Sequence, residues 1–455
     1  MEIALIGGGG VRTVFFTKSI IKRSEKIGID SLVLMDNDEK RLNIITKLCS
    51  EAAKEMNSKI NIRKTIIIED AVKNADFIVT TIRVGKEKAR ANDERIALKY
   101  GVLGQETTGA GGFSMAIRTI PVALNYYKLI SEINPKAWIL NFTNPSGLVT
   151  QAARDKGLHK VIGICDAPSE LKSQIAAAEK VEYSKLDFEQ YGINHLSWTR
   201  KVVDSSNNKD VIKNLLQDDR KLEKINALAV FEKDLINMLG VLPNEYLYYY
   251  YYREKSIKNI LSSNYTRGEY IEKINNEMFY LLEKIDINNK PKEALQIYYK
   301  YCNMRENSYM SVETNEDKLN NREKKLELDF EGYAGVALDF IEGINNEKSK
   351  EIILSVPNEG AIANMKDDDV VEVTCNIGKS TVKPISIGEV SEETLLLMKQ
   401  VKLYEKLTID AVFNKSRKRA YEALMAHPLV GSYSISRSIV DEYLNVNKEY
   451  VGVWK

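Results

Sequence analysis

The sequence predicts an α/β fold, a parallel sheet covered by helices and followed by a mixed α+β lobe. Three observations predict it. Over roughly the first third of the chain, short apolar runs alternate with helical patterns. The first of those runs leads straight into Gly7, Gly8, Gly9 and Gly10. After Cys165 the strand signal lengthens and the helices cluster. A one-sided sheet would alternate apolar and polar residues, so continuous apolar runs argue for strands buried on both faces.

In chain order, residues 2–6 form a short apolar strand, and a helical pattern follows over about 11–22. Residues 31–35 are a second apolar run closed by Asp36, and a long helical pattern covers 39–56. Residues 61–68 alternate and carry isoleucines, which predicts a strand. Residues 77–82 make another apolar strand, and 113–133 a clear helix. Two more short apolar runs occupy 138–142 and 161–165. Residues 186–204 predict longer, partly antiparallel strand. From about 211 to 304 the chain is mostly helical and rich in tyrosine and asparagine. Strand signal returns over 351–356 and 369–386. Ser391 caps a helix over 391–413 with a strong apolar stripe, and another helix runs to about Ala426. The expected domains are 1–170, a nucleotide-type lobe, and 171–455, an α+β lobe for substrate, metal and oligomer contacts. The late helices are placed to pack back on the first lobe.

Composition removes several classes of function. Lys and Arg number 65 against 64 Asp and Glu, a net charge of +1, so no basic field awaits a phosphate backbone. Nucleic acid is excluded as the main partner. No run approaches the roughly 18 apolar residues of a membrane span. The N-terminus has an acid where a signal peptide is basic, so the expected location is cytoplasmic, with no membrane partner. Cys49, Cys165, Cys302 and Cys375 are too scattered for a disulfide framework. Only His159, His195 and His427 are available for imidazole chemistry.

A strand, a glycine turn, a helix and a second strand ending in an acid is the Rossmann-type layout of a dinucleotide site. Small residues let the backbone approach a pyrophosphate, and the helix N-terminus supplies N–H groups and partial positive charge. Asp36 would accept from ribose hydroxyls and disfavour a 2′-phosphate, which favours NAD over NADP. Counted from Gly7 and Gly9, Arg12 stands where a third glycine is usual, and could face the phosphates. The plain alternative is a tight turn with no ligand. The expected cofactor-binding residues are Gly7, Gly8, Gly9, Gly10, Val11, Arg12, Asp36 and Arg41.

Further along, Arg83, Arg90 and Arg95 precede a polar, glycine-rich loop, residues 104–112. Such backbone suits wrapping a polar ligand, and arginines nearby suit a phosphate or carboxylate. Arg95 by itself reads as part of a solvated helix face. Three polar clusters then sit just past apolar strands: Asn141 to Gly147 with Asn144, Cys165-Asp166-Ala167-Pro168, and Asn194-His195. A thiolate and an imidazole can share zinc, iron or manganese and leave positions open for substrate oxygens. Taken singly, Cys165 reads as a small buried hydrophobe and His195 as a satisfied core histidine.

Together these segments resemble glycoside hydrolase family 4, the NAD- and metal-dependent glycosidases. The resemblance rests on Ile6-Gly7-Gly8-Gly9, Lys88-Ala89-Arg90 with Asp93-Glu94, residues 104–112, 141–147, 165–168 and 192–198, and Pro357-Asn358-Glu359-Gly360-Ala361-Ile362. Residues 105–113 and 194–198 look most like the 6-phospho-β-glucosidase branch. The resemblance implies a lactate/malate dehydrogenase-like architecture, NAD and Mn²⁺ as cofactors, and a homodimer or homotetramer. It implies a phosphorylated disaccharide or β-glucoside as substrate. The sugar is oxidised at C3, loses its C2 proton to a tyrosine, expels the aglycone from C1, adds water and is reduced again. By the same resemblance Cys165 and His195 hold the metal, and Tyr246 is the base, with Tyr248 and Tyr249 as alternatives. Arg90 meets the 6-phosphate, Asn144 and Asn194 contact the sugar, and Glu106 contacts it or organises the cofactor loop. Asp166 resembles the leaving-group acid of the α-specific members, so a 6-phospho-α-glucosidase is the alternative within the family. A 2-hydroxy-acid dehydrogenase is the alternative outside it; that class shares the glycine start but leaves Cys165 idle.

Overall fold

The computed structural model describes residues 1–315, 332–346, 349–378 and 381–455. Its first strands are β1 (Glu2–Ile6), β2 (Ser31–Met35), β3 (Asn61–Thr65), β4 (Phe77–Thr80), β5 (Trp138–Asn141) and β6 (Val161–Gly163). They pair in parallel in the order β3-β2-β1-β4-β5-β6. Ala4 pairs with Val33 on one side and Ile78 on the other. Ile3, Leu5, Val33 and Ile78 are all buried, as the continuous apolar runs require. Strand order reverses between β1 and β4, which opens a crevice at the strands' C-terminal ends.

The intervening helices cover both faces. They are α1 (Thr13–Ile27), α2 (Glu39–Glu55), α3 (Ile68–Val72), α4 (Lys86–Lys99), α5 (Ala110–Ile133), α6 (Ser146–Asp155) and α7 (Ala167–Glu179). Asp38 caps α2 by accepting from the Arg41 N–H. Gly28 ends α1 with φ 79°, where a side chain would be strained.

Two expectations shift in detail. β3 stops at Thr65, because the Ile67 N–H turns back to the Thr65 hydroxyl. Ile66 and Ile67 stand half-exposed, and Ile68 starts α3. The helix expected from residue 113 starts at Ala110, so Gly111 and Gly112 form its first turn.

Beyond α7 a hairpin of β7 (Leu186–Ile193) and β8 (Leu196–Asp204) builds a second, antiparallel sheet. β9 (Lys209–Asp210) and β10 (Leu242–Pro243) flank β8. The late strands β11 (Lys350–Pro357), β12 (Val370–Gly378) and β13 (Thr381–Pro384) join the first sheet instead. They extend it antiparallel past β6, with Ser355 opposite Gly163. Residues 379 and 380 of the expected 369–386 strand lie outside the described residues.

The helix Glu392–Asn414 is capped by Ser391, as its sequence predicts. The helix Tyr433–Val446 packs back on the first lobe, where the Tyr443 hydroxyl donates to the Asp93 carbonyl at 2.8 Å. Asn447 accepts from Arg118 at 2.8 Å in the same contact. No described helix is long and apolar enough to cross a membrane.

Candidate active site

The crevice at the strand ends deepens into one cavity of about 750 Å³. Its walls carry every expected site residue except Gly8 and the alternative base Tyr248. Gly8 serves packing, since a Cβ there would come within 2.9 Å of the Leu34 Cβ.

At one end lies the glycine turn. Gly7 has φ +99°, and a Cβ on it would meet the Thr81 hydroxyl at 2.7 Å. The N–H groups of Gly7 and Gly8 both donate to the Met35 carbonyl. Asp36 accepts from the Gly9 and Asp38 N–H groups, each at 2.9 Å, and so ties the turn to β2. Burial pushes the Asp36 carboxyl upward despite those bonds. Arg41 pairs with Glu87 at 3.1 Å and stacks over Phe279. Val11 lends its carbonyl to the Tyr298 hydroxyl at 2.6 Å. A strand-linked glycine cradle with an acid at its far side fits a dinucleotide that carries a free ribose diol.

In the middle stand several arginines. Arg12 pairs with Asp166 at 3.1 Å and with Glu306 at 3.4 Å. Glu106 is held between Arg83 and Arg90. Burial opposes its ionisation, yet the two guanidiniums win and keep its carboxyl well below the usual range. Arg90 is engaged further, by Glu94 at 2.8 Å. Arg267 donates to the Ser308 hydroxyl and the Arg305 carbonyl. Arg267 and Arg305 differ from Arg12, Arg83 and Arg90: no carboxylate among the described residues lies within ion-pair distance of either. Burial, and then Arg12 and Arg267, push the Arg305 pKa down to about 10. A partly buried cation among other cations is a site for an anion.

The third region joins Cys165, just past β6, to His195, in the turn between β7 and β8. His195 has φ 63°, a left-handed conformation that turns the ring into the cavity. Its Nδ1 lies 2.7 Å from the Thr107 hydroxyl. Burial pushes its pKa down to about 3, so the ring is neutral. Burial raises the Cys165 thiol, and the nearby Glu372 and Asp166 raise it further. Asn194 donates to Glu372 at 3.0 Å, and Ser197 donates to the same carboxylate at 2.8 Å. A neutral imidazole and a thiol ringed by carboxylates form a donor set for a divalent cation, whose charge would favour the thiolate. Among the described residues no group of three or more His, Cys, Asp or Glu side chains could hold a metal ion. This pair therefore leaves coordination positions for other oxygens.

Tyr246 stacks flat on His195, with ring centroids 3.7 Å apart and planes within 6°. Asn244 fixes it by accepting from its N–H at 3.0 Å. Tyr249 also reaches the cavity, and its hydroxyl donates to Glu313 at 3.3 Å. Tyr248 is buried against Tyr252 and Phe231 and does not line the cavity. Asn144 and Asn194 line it too.

Sequence reasoning missed Arg267, Arg305, Glu306, Tyr309, Glu313 and Glu372. Arg305-Glu306 at the end of a helical pattern is the one weak signal among them. Glu372 supports a pH prediction. Burial lifts its pKa to about 7, outweighing its bonds from Asn194 and Ser197. A carboxyl raised on folding stabilises the fold fully below its unfolded pKa and loses that contribution as pH rises through the folded value. Metal-free protein should therefore lose roughly 3 kcal/mol of stability between about pH 4.5 and 7. Glu372→Gln should flatten that slope in denaturant titrations; an unchanged slope would refute the assignment.

Two sequence profiles match this chain. That of the family 4 glycosyl hydrolases covers residues 2–181, and that of their C-terminal domain covers 190–430. The chain belongs to family 4 of the glycosyl hydrolases. It is 32% identical to a probable 6-phospho-β-glucosidase of Bacillus subtilis, over 99% of this chain and 97% of that protein. A solved 6-phospho-β-glucosidase of Thermotoga maritima, with manganese, NAD⁺ and glucose-6-phosphate, superposes with a TM-score of 0.83. It shares 30% identity, and the match covers all of both chains. A 6-phospho-α-glucosidase from gut microorganisms, with NAD and Mn²⁺, gives a TM-score of 0.80 at 26% identity, covering 100% of this chain and 99% of that one. At the level of fold alone, a lactate dehydrogenase from a deep-sea metagenome matches with a TM-score of 0.53 at 13% identity. This family 4 chain thus has the dehydrogenase-like architecture expected of it.

Proposed function

We propose that this family 4 enzyme is a 6-phospho-β-glucosidase that works with NAD and a divalent metal, manganese first. One observation carries the reading: the guanidinium of Arg305, which has no carboxylate partner among the described residues, shares a cavity with the glycine turn and the Cys165–His195 pair. A ligand that carries both a dianion and sugar hydroxyls would meet a partner for each in that cavity.

When bound, NAD⁺ supplies a reversible hydride acceptor and the cation a Lewis acid. The chain's own residues do the rest. Gly7, Gly9, Gly10, Val11 and Arg12 receive the dinucleotide phosphates; Asp36 receives its ribose, and Arg41 frames that end. Cys165 and His195 hold the cation. Arg305 and Arg267 take the 6-phosphate, and Arg90 adds its charge from between Glu94 and Glu106. Asn144 and Asn194 hydrogen-bond the sugar. Tyr246, on the face of His195, is placed to take the C2 proton.

Asp166 bears on the anomer. Its carboxylate is occupied by Arg12 at 3.1 Å, an arrangement that suits positioning over donation to a leaving group. With the Bacillus and Thermotoga relatives, this supports β over α. The proposal includes a cytoplasmic homodimer or homotetramer, as the family resemblance implies.

The test is an assay of chromogenic 6-phospho-β-glucoside, 6-phospho-α-glucoside and their unphosphorylated forms, with Mn²⁺, NAD⁺ and reductant omitted in turn. Release from the β-phosphate alone is expected, lost without metal or NAD⁺ and with no net NADH. Release from the α-phosphate would transfer the reading to that anomer. Activity that survives both dialysis and chelator would refute it.

A further inference from the structure

The loop that precedes α5 holds its side chains in an unusual division. Glu106 turns towards Arg83 and Arg90, while its neighbour Thr107 turns the other way, to His195. Gln105 sits beneath both. Its Oε1 accepts from the Thr107 and Thr108 N–H groups, each at 2.7 Å. Backbone N–H groups only donate, so they fix which end of the amide faces them. The Thr107 hydroxyl also reaches that oxygen, at 2.9 Å.

The loop packs too closely on the start of α5 for side chains at two of its glycines. A Cβ on Gly111 would strike the Gly104 carbonyl at 2.2 Å, and one on Gly112 the Thr107 carbonyl at 2.4 Å. The glycines seat the loop against the start of α5, and so set where Thr107 points.

The Thr107 hydroxyl has one proton and two neighbours, Gln105 Oε1 and His195 Nδ1. If the proton points to Nδ1, the imidazole carries its own proton on Nε2 and that nitrogen has no lone pair. If it points to Gln105, Nδ1–H donates to Thr107 and Nε2 is left bare. Nδ1 is already occupied by Thr107, so only Nε2 is free to meet a cation.

We propose that Gln105 and Thr107 are positioning residues that fix the Nδ1–H tautomer of His195 and so prepare Nε2 for the metal before it arrives. Gln105 draws the threonine proton away from the ring, and Thr107 then accepts from it. The inference rests on the reading of His195 as a metal ligand. Outer partners of this kind commonly account for about 10–100-fold in metal affinity.

Two measurements on ¹⁵N-histidine-labelled, metal-free protein test it. The chain has three histidines, and loss of a signal in His195→Gln assigns the one that matters. Its nitrogen shifts should report the Nδ1–H tautomer in the parent protein and a shift towards Nε2–H in Gln105→Met. Mn²⁺ titration followed by electron paramagnetic resonance should show Thr107→Val weaker by about 10–100-fold, with Thr107→Ser restored because it keeps the hydroxyl. An Nε2–H parent, or Mn²⁺ affinity unchanged in Thr107→Val while lost in His195→Gln, would overturn the relay alone. Affinity unchanged in His195→Gln would overturn the metal reading beneath it.

Discussion

Tyr246→Phe should lower kcat by about 10²–10⁴-fold, the range for loss of a general base, and leave Mn²⁺ and NAD⁺ binding intact. Phenylalanine keeps the ring, so the flat stack on His195 survives and the experiment isolates the hydroxyl. Burial, and then Glu245, push the Tyr246 phenol well above its ordinary pKa, and Cys165 and Asp166 add to this. In the metal-free protein the phenol is therefore firmly protonated. Positive charge bound beside Cys165 opposes the last two contributions and lowers that pKa. A base is active when deprotonated, so kcat should fall as pH falls, and Tyr246→Phe should lose that acid limb. Substrate deuterated at C2 should react more slowly with the parent enzyme. Tyr249→Phe is the control: it loses only a 3.3 Å bond to Glu313 and should retain most of the activity. Equal losses in the two variants would reassign the base to Tyr249.

The ordering of the two tyrosines shows what a sequence can and cannot reveal. Pattern alone places a run of tyrosines near a site, because Pro243 and Asn244 punctuate a turn before it. Which ring meets His195 depends on the pitch of the short turn Glu245–Leu247, and that is settled by packing. The parallel strands were legible for the opposite reason. Burial on both faces writes itself into Ala4, Leu5 and Ile6 without reference to any partner. Strand partners are not written that way. β11 and β12 carry strand signal, yet nothing in them says that β11 pairs with β6 and β12 with β11. The helix Glu392–Asn414 was legible because Ser391 is a local signal, read within one turn.

The site divides along the same line. Gly7, Asp36, Cys165 and His195 sit at strand ends or in turns, where the sequence itself marks the end of an apolar run. Arg267 and Arg305 sit on helices, where a charged residue is the default, and only tertiary approach turns them inward. Glu372 lies in a strand between Val371 and Val373, and its burial is a property of the neighbouring hairpin. Long-range partners of this kind leave no local trace.

Arg305 carries the second large effect. Arg305→Met should raise KM for a 6-phosphorylated glucoside by roughly 30- to 3,000-fold, the equivalent of about 2–5 kcal/mol for a buried charged contact. The parent guanidinium has no carboxylate partner among the described residues and lies near Arg12 and Arg267. Its partial burial beside other cations is unfavourable until an anion arrives, so removal costs binding and not fold. Denaturation midpoints should therefore match or exceed those of the parent protein. Turnover of an unphosphorylated glucoside should change little, so the preference for phosphate collapses by the same factor. Arg305→Lys should recover only part of it, since an ammonium is a point charge and lacks the planar fork that meets two phosphate oxygens. Inorganic phosphate, competing for the same guanidinium, should inhibit the parent enzyme and not Arg305→Met. If KM for the phosphorylated substrate stays within a few-fold of the parent value, the anion lies elsewhere, and Arg90 and Arg267 become the pair to test.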